Sequence, residues 1–267
     1  MSTLTYTVTD STTMLRRSLR RLLRYPSLTL MLVGMPIVFM LMFVYVFGGE
    51  LGAGLGRELA GGHSGRAGYL NYVAPGILLI TVAAAVQGTA IVVAMDMTGG
   101  IIDRFRTMAI ARASVLTGHV LASLIQTLGS IAVVLAVAIA LGFRPIADPG
   151  DWLAAAGVLS FFALALIWLA TALGLAAKSV ETASNTPMFL IILVFLGSGF
   201  VPVATMPAGL RQFATYQPFT PVTETLRGLL TGTPIGSNLA GTLAWSAGIA
   251  IVSYFWAIHL YNRRHAR

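Results

Sequence analysis

Long apolar runs, separated by short polar segments, set the pattern of the chain. A helix needs about 20 apolar residues to cross a bilayer core of about 30 Å, and six runs reach or approach that length. They lie at residues 28–47, 73–97, 120–141, 152–177, 187–203 and 239–260. The fifth is the shortest and ends in a Gly-Ser-Gly segment before Pro202, which favours an early end to that helix. The pattern predicts an all-α integral membrane protein with six transmembrane helices.

The segment before the first run is amphipathic. Between residues 13 and 25, leucines recur on one helical face and five arginines on the other, and Pro26 follows directly. Such a helix suits the headgroup layer of an anionic leaflet. We therefore predict an interfacial helix at 13–25; a soluble arm that packs on a partner is the alternative.

Residues 206–232 keep an amphipathic pattern without reaching the length of a span. Pro207 suits the first turn of one short helix, and a proline directly after Thr220 suits the start of another. Glu224 and Arg227 stand three residues apart, a spacing at which helical side chains can pair. We expect two short re-entrant helices that dip into the outer leaflet; an ordinary extracellular helical loop is the alternative.

Composition supports a membrane location. Of the 267 residues, 57% are apolar and 10% are charged, and the mean hydropathy is +0.83, which is too apolar for a soluble domain. The chain has no cysteine, so neither a disulfide nor a thiolate metal site is possible. No cleavable signal is evident, and the first run is expected to be a retained span.

The basic residues indicate orientation. If the six runs cross alternately, twelve of the 17 Lys and Arg residues fall on one side and five on the other. Because the basic side of a membrane protein faces the cytoplasm, both termini and the 99–112 segment are predicted to face inward in a plasma membrane. The charges are dispersed between apolar runs, so a nucleic-acid partner is not expected.

The motifs of several enzyme classes are missing. Lys178 is the single lysine, and the glycine that a phosphate-binding loop needs before its lysine is absent. The histidines have no metal-binding spacing, and no serine lies in a Gly-x-Ser-x-Gly elbow. The chain is therefore predicted to be neither an ATPase nor another enzyme, and to hold no metal or other cofactor.

The predicted spans have few polar side chains in their interior. No Asp, Glu, Lys or Arg lies near the middle of a span, which disfavours a proton-driven carrier, and the apolar interior favours amphipathic or lipidic cargo over ions. From their positions in the helices, we place Gln87, Thr89 and Phe195 on a substrate path. The alternative is that these three side chains only pack.

A charged segment that opens on glycines, residues 99–112, lies between the second and third runs. It is either a contact point for another protein or a positive loop that only fixes topology. Its sequence from Gly100 to Arg112, followed by Val-Leu-Thr-Gly at 115–118, resembles the cytoplasmic motif of ABC type-2 exporter permeases, especially the daunorubicin-resistance branch. A second resemblance to this family runs from Phe200 through Gln-Pro-Phe-Thr-Pro to Gly232.

The resemblance implies one transmembrane domain over 1–267 and a coupling helix at 99–112 that docks on a separate ATPase. The coupling residues would be Gly100, Asp103, Arg104, Phe105, Arg106, Thr107 and Arg112. It also implies an outer gate formed by the short helices at 206–232. The gate residues would be Pro202, Pro207, Pro218, Thr220, Glu224 and Arg227.

The partners follow from the same resemblance. Two copies of a cytoplasmic ABC ATPase would carry ATP and Mg, and a second permease chain, the same or a sister, would meet this one at its second and fifth helices. Membrane lipid and an amphipathic small molecule or lipid complete the expected partners. The expected function is ATP-driven export; a non-transporting scaffold or sensor that recruits a cytoplasmic partner is the alternative.

The chain departs from the family pattern at two places. Met108 and Ala109 stand where Leu-Pro is usual, and His119, Ser123 and Gln126 stand where Arg, Asp and Arg are expected. We expect a neutral cluster to replace a charged one at the base of the third span.

Overall fold

The structure is a computed structural model that describes residues 26–54, 65–98 and 112–263. The predicted interfacial helix at 13–25 lies outside the described residues, as does nearly all of the predicted coupling helix. In the described ranges the regular secondary structure is helical and no strand forms, as expected for an all-α membrane protein.

Ten α-helices make up the described chain. They are α1 (Pro26–Leu41), α2 (Gly48–Gly54), α3 (Gly65–Thr98), α4 (Arg112–Ala140), α5 (Pro149–Ala176), α6 (Val180–Asn185), α7 (Met188–Phe195), α8 (Ala208–Tyr216), α9 (Phe219–Thr231) and α10 (Asn238–Arg263). A π-helix (Met42–Phe47) joins α1 to α2, and a 3₁₀ turn (Val203–Thr205) precedes α8.

Five helical segments of the described chain are long and apolar enough to cross a membrane. They are Leu32–Gly54, Gly65–Met97, Thr117–Ala140, Pro149–Ala176 and Asn238–Tyr261. The predicted fifth span, 187–203, is shorter: α7 has eight residues, and turns follow it through Phe200. The glycines at 197 and 199 account for this early end, and the count of six spans stays a prediction.

The helical segments at the start of the chain are longer than the apolar pattern indicates. The first continues to Gly54 and α3 begins at Gly65, whereas the apolar runs end at residue 47 and begin at residue 73. These glycines permit close packing, because a Cβ at Gly52 would overlap the backbone of Gly65. Here Gly52 and Gly65 form a tight contact between the two helical segments.

Helix α3 is the centre of the bundle. It packs against α1, α2, α4, α5, α6, α7 and α9. In the most apolar stretch of α3, 72% of the residues are buried by the rest of the chain, whereas the value for the corresponding stretch of α10 is 17%. Its 34 residues extend over about 51 Å at 1.5 Å per residue, more than a bilayer core requires. We refer to its two ends as the Gly65 end and the Thr98 end.

Two glycine contacts let α3 approach its neighbours closely. A Cβ at Gly76 would lie 2.7 Å from the carbonyl oxygen of Gly199, and a Cβ at Gly174 of α5 would lie 2.7 Å from that of Ala90. Helices in lipid gain stability mainly from such close packing, since lipid is as apolar as their side chains. The segment after α7 is therefore packed backbone to backbone on α3.

Local sequence explains where α5 begins and α9 ends. Asp148 caps α5 in a capping box, in which its Oδ1 accepts from the Asp151 amide at 2.8 Å, and Pro149 occupies the first turn. Helix α9 ends at Gly232, whose φ of 74° is readily adopted only by glycine.

Candidate functional site

A buried arginine lies where α9 meets the Gly65 end of α3. The side chain of Arg227 is only 1% exposed. Its Nη2 donates to the carbonyl oxygens of Ser198 at 2.8 Å and Tyr72 at 3.2 Å, and its Nη1 donates to Glu224 Oε1. Removing a cation from water is costly unless such acceptors surround it. The network therefore joins α9, α3 and the turn after α7 at one point.

Tyr72 contributes to this network through three groups. Its ring lies under the guanidinium, with 3.9 Å between Arg227 Cζ and the ring centroid, a cation–π contact. Its hydroxyl donates to the Ser198 carbonyl at 2.9 Å, and its own carbonyl accepts from Arg227. Pro75 follows three residues later, and because proline has no N–H, the helix lacks the bond that residue 75 would donate to the carbonyl of residue 71.

A second set of hydrogen bonds holds the start of α9 to the turn after α7. Gln217 Nε2 donates to Thr220 Oγ1 at 3.0 Å, and Gln217 Oε1 accepts from the Phe219 amide at 2.9 Å. Thr220 Oγ1 also accepts from the Ser198 amide at 3.3 Å. A Cβ at Gly197 would lie 2.5 Å from Gln217 Nε2, so this glycine makes room for the amide.

The structure brings together half of the predicted gate residues. Thr220, Glu224 and Arg227 belong to one network, and the predicted Glu224–Arg227 pair is present. Pro218 is the residue directly before α9. Pro202 and Pro207 flank the 3₁₀ turn, where their carbonyls bond locally, to Thr205 Oγ1 and the Arg211 amide respectively.

The three predicted path residues do not form one compact site. Gln87 Nε2 donates to the Ser184 carbonyl at 2.9 Å and so ties α3 to α6. Thr89 is buried and donates to Ala85 within its own helix. Phe195 lies elsewhere, beside the segment that packs at Gly76, about 16 Å along α3 from Gln87.

Phe195 belongs to an aromatic cluster between α1 and the turn after α7. Its ring stacks on Phe200, with centroids 4.7 Å apart, and meets the edge of Phe39 at 5.6 Å. Phe43, in the π-helix, lies 4.6 Å from Phe200. Such contacts stabilise packing in their own right, so the packing interpretation of Phe195 has direct structural support.

The Thr98 end of α3 has a contact between a carboxylate and an imidazole. Asp96 Oδ2 lies 3.1 Å from Nε2 of His119 in α4; the Asp96 side chain is 3% exposed and that of His119 is 16% exposed. The pair therefore links the two helices on either side of residues 99–111. The contact shows that His119 has an acidic partner from α3, and the expectation of a neutral cluster at His119, Ser123 and Gln126 stays a prediction.

Most of the predicted coupling residues lie outside the described residues. These are Gly100, Asp103, Arg104, Phe105, Arg106 and Thr107. Arg112 is described in its backbone only, as the first residue of α4. Their assignment to an ATPase contact therefore stays a prediction.

Sequence reasoning missed several members of the Arg227 network. Tyr69 donates to the Phe200 carbonyl at 3.3 Å, one turn from Tyr72, and both are 1% exposed. A usable signal was present: two tyrosines three residues apart, the second of them three residues before a proline, at the start of an apolar run. Gln217 also lay within the second family motif. Among the described residues, no group of three His, Asp or Glu is placed to hold a metal ion.

Fold and site together define a multi-pass helical membrane protein built around one central span. A family model for the ABC-2 type transporter matches residues 9–231. The chain belongs to the ABC-2 type transporter family, as the resemblance in its sequence motifs implied.

Two kinds of relative share this similarity. The daunorubicin resistance ABC transporter permease protein DrrB1 of Streptomyces coeruleorubidus is 29% identical over 263 residues, which cover 97% of this chain and 88% of the relative. The probable doxorubicin resistance ABC transporter permease protein DrrC of Mycobacterium tuberculosis is 28% identical over 181 residues, 65% of this chain and 64% of the relative. The chain is thus a membrane-embedded permease subunit of an ABC transporter. Membership of the family implies a cytoplasmic ATPase partner and a permease partner.

Proposed function

We propose that this chain is the permease subunit of an ATP-driven exporter that moves amphipathic or hydrophobic molecules, such as drugs, antibiotics or lipids, out of the cell. The observation that carries the proposal is similarity over 97% of the chain to a permease named for daunorubicin resistance. The apolar character of all five candidate spans supports amphipathic cargo over ions.

The route from ATPase to bundle runs through α3 and α4. These helices lie on either side of residues 99–111, and the Asp96–His119 pair joins them beside that segment. In our proposal the segment docks on the ATPase, with Arg104 and Asp103 as directional charged contacts and Phe105 as an apolar anchor. A movement imposed there acts on α3, the helix that contacts most of the bundle.

The assembly we propose contains two ATPase copies and a second permease chain, the same or a sister. ATP and Mg bind to the ATPase subunits. The Thr98 end of α3 and both termini face the cytoplasm of a plasma membrane, as the distribution of twelve and five basic residues favours. Residues 1–267 act as one transmembrane domain, with a seam to the partner along its second and fifth predicted spans.

Transport is the first test. The permease and its ATPase are reconstituted together in proteoliposomes, and ATP-dependent movement of a fluorescent anthracycline is measured, with a proton gradient applied separately. We expect movement with ATP and none with the gradient alone. Gradient-driven movement without ATP would contradict the proposal.

A loop variant tests the coupling contact. Arg104→Ala is expected to lose ATP-dependent transport and co-purification with the ATPase, because a directional contact is removed. Lys178→Ala is the matched control: it deletes another basic residue of the same predicted side, which is exposed between α5 and α6. If Arg104→Ala and Lys178→Ala both behaved like the parent, the docking surface would lie elsewhere. A chain that bound the ATPase but moved no cargo would favour the scaffold alternative.

A further inference from the structure

The acceptors of Arg227 come from three segments of the chain. Tyr72 belongs to α3, Ser198 to the turn after α7, and Glu224 to α9 itself. Because the side chain is 1% exposed, water does not replace these acceptors in the observed arrangement. If α9 moved away while α3 and the turn stayed in place, the buried guanidinium of Arg227 would lose the Tyr72 and Ser198 carbonyls. Removing the partners of a buried charge is strongly unfavourable.

The turn after α7 is bound to α3 independently. Gly76 and Gly199 meet backbone to backbone, and Tyr69 and Tyr72 donate to the carbonyls of Phe200 and Ser198. This turn is therefore seated on the same part of α3 that Arg227 reaches. The turn and this part of α3 therefore form one unit, and displacement of α9 from that unit has to break the Arg227 bonds to both Tyr72 and Ser198.

Pro75 lies within this part of α3. It follows Tyr72 by three residues and precedes Gly76, so the network surrounds the one proline in the helix. A proline removes one helical hydrogen bond, and a helix therefore bends most readily next to it. Bending at Pro75 changes the position of the Tyr72 carbonyl and ring, which Arg227 holds from α9.

We propose that Arg227 is a positioning residue that makes α9 follow the bending of α3 at Pro75. A movement of the Thr98 end changes the angle between the two parts of α3 that meet at Pro75, and α9 then keeps to the part that carries Tyr72. The inference rests on the proposed function, because ATP-driven movement of α3 is what it transmits.

The natural sequence provides a suitable background for the test, because it contains no cysteine. Thr223→Cys places a single reporter thiol on α9, at a position that is 1% exposed, one turn from Arg227. The reporter is combined with Arg227→Gln and, as a matched control, with Arg211→Gln. Arg211 is an arginine of neighbouring α8 whose guanidinium donates to the Met206 carbonyl, within its own segment.

The permease is reconstituted with its ATPase, and the rate at which a water-soluble maleimide labels the thiol is measured with and without ATP, Mg and vanadate. The ATPase rate is measured in the same samples. We expect nucleotide to change the labelling rate several-fold in the parent and in Arg211→Gln. In Arg227→Gln we expect this change to be lost while cargo-stimulated ATP hydrolysis continues, a separation that a merely structural role does not produce.

Arg227→Lys is the second variant, because it keeps a cation in the buried site. One ammonium group cannot span two carbonyls and a carboxylate as a guanidinium does, so we expect a nucleotide-dependent change between those of the parent and Arg227→Gln. A change equal to that of the parent in Arg227→Lys and Arg227→Gln would overturn the inference. A different result would overturn the proposed function, and the inference with it: an ATPase rate that is the same with and without the parent permease and does not respond to cargo.

Discussion

The two ends of α3 hold their charges in different ways. At the Gly65 end, Arg227 is enclosed by carbonyls, a carboxylate and an aromatic ring, and backbone-to-backbone packing adjoins it. At the Thr98 end, Asp96 lies 3.1 Å from His119, a side chain that is partly exposed. The enclosed guanidinium of Arg227 resists separation from its acceptors, because a buried charge without partners is costly. His119 is partly exposed, so its contact with Asp96 can be broken more easily.

This difference suits an element that transmits movement. One end has to remain attached to the segments that it moves, and the other has to respond to a partner that changes state. The following predictions test the contrast along α3, from the largest expected effect to the smallest.

The largest effect is expected at Arg227. Arg227→Ala removes a donor to the Tyr72 and Ser198 carbonyls, leaves Glu224 without its cation and opens a cavity where a large buried side chain lay. It should lower the free energy of unfolding by about 3–5 kcal/mol. Thermal unfolding in detergent, followed by tryptophan fluorescence, measures the loss. Arg211→Ala, an exposed control in the same region, should change it by about 0.5 kcal/mol or less. If both variants lowered the free energy of unfolding equally, the buried network of Arg227 would contribute no more to stability than the exposed Arg211.

Gly76→Ala tests the backbone contact beside the network. The added Cβ would lie 2.7 Å from the Gly199 carbonyl oxygen, so the turn after α7 must shift, at a cost of about 1–3 kcal/mol. Gly88→Ala is the matched control on the same helix, because its Cβ would meet only the Leu32 side chain at 3.7 Å. The same unfolding measurement applies, and an unchanged midpoint for Gly76→Ala would mean that the contact yields easily.

His119→Ala tests the Thr98 end. Loss of the hydrogen bond to Asp96 should cost about 1.5 kcal/mol, less than at Arg227 because the site reaches water. His119→Gln keeps a donor and should recover much of this stability. If ATPase stimulation by the permease falls in His119→Ala and returns in His119→Gln, the pair positions the segment between α3 and α4. An effect on unfolding as large as that of Arg227→Ala would contradict the contrast.

The smallest effect is expected between the two ends. Gln87→Leu removes one bond to the Ser184 carbonyl and should cost about 0.5–1 kcal/mol. Thr89→Val removes a hydroxyl that bonds within its own helix and serves as the control. Export of several cargoes distinguishes the two interpretations of Gln87: altered cargo preference supports the path, and unchanged preference supports packing.

Much of this molecule follows from local sequence. The length and apolarity of the runs determined that it is a helical membrane protein, since unpaired backbone groups are too costly in lipid. The three-residue spacing of Glu224 and Arg227 indicated their pair, because helical geometry alone brings such side chains together. The motifs after Gly99 and Phe200 were enough to place the chain in the ABC-2 type transporter family.

Tertiary structure decided what those local elements contact. The sequence placed Arg227 in a segment expected to face the outer leaflet or water. In the structure its side chain is buried against Ser198 and Tyr72, which lie 29 and 155 positions away in the chain. The sequence did not indicate that Asp96 is the partner of His119, because the two residues lie on different helices, on either side of residues 99–111. Periodicity indicates which face of a helix is apolar, but the identity of a buried polar group's partner depends on how helices pack, and that is set by the whole bundle at once.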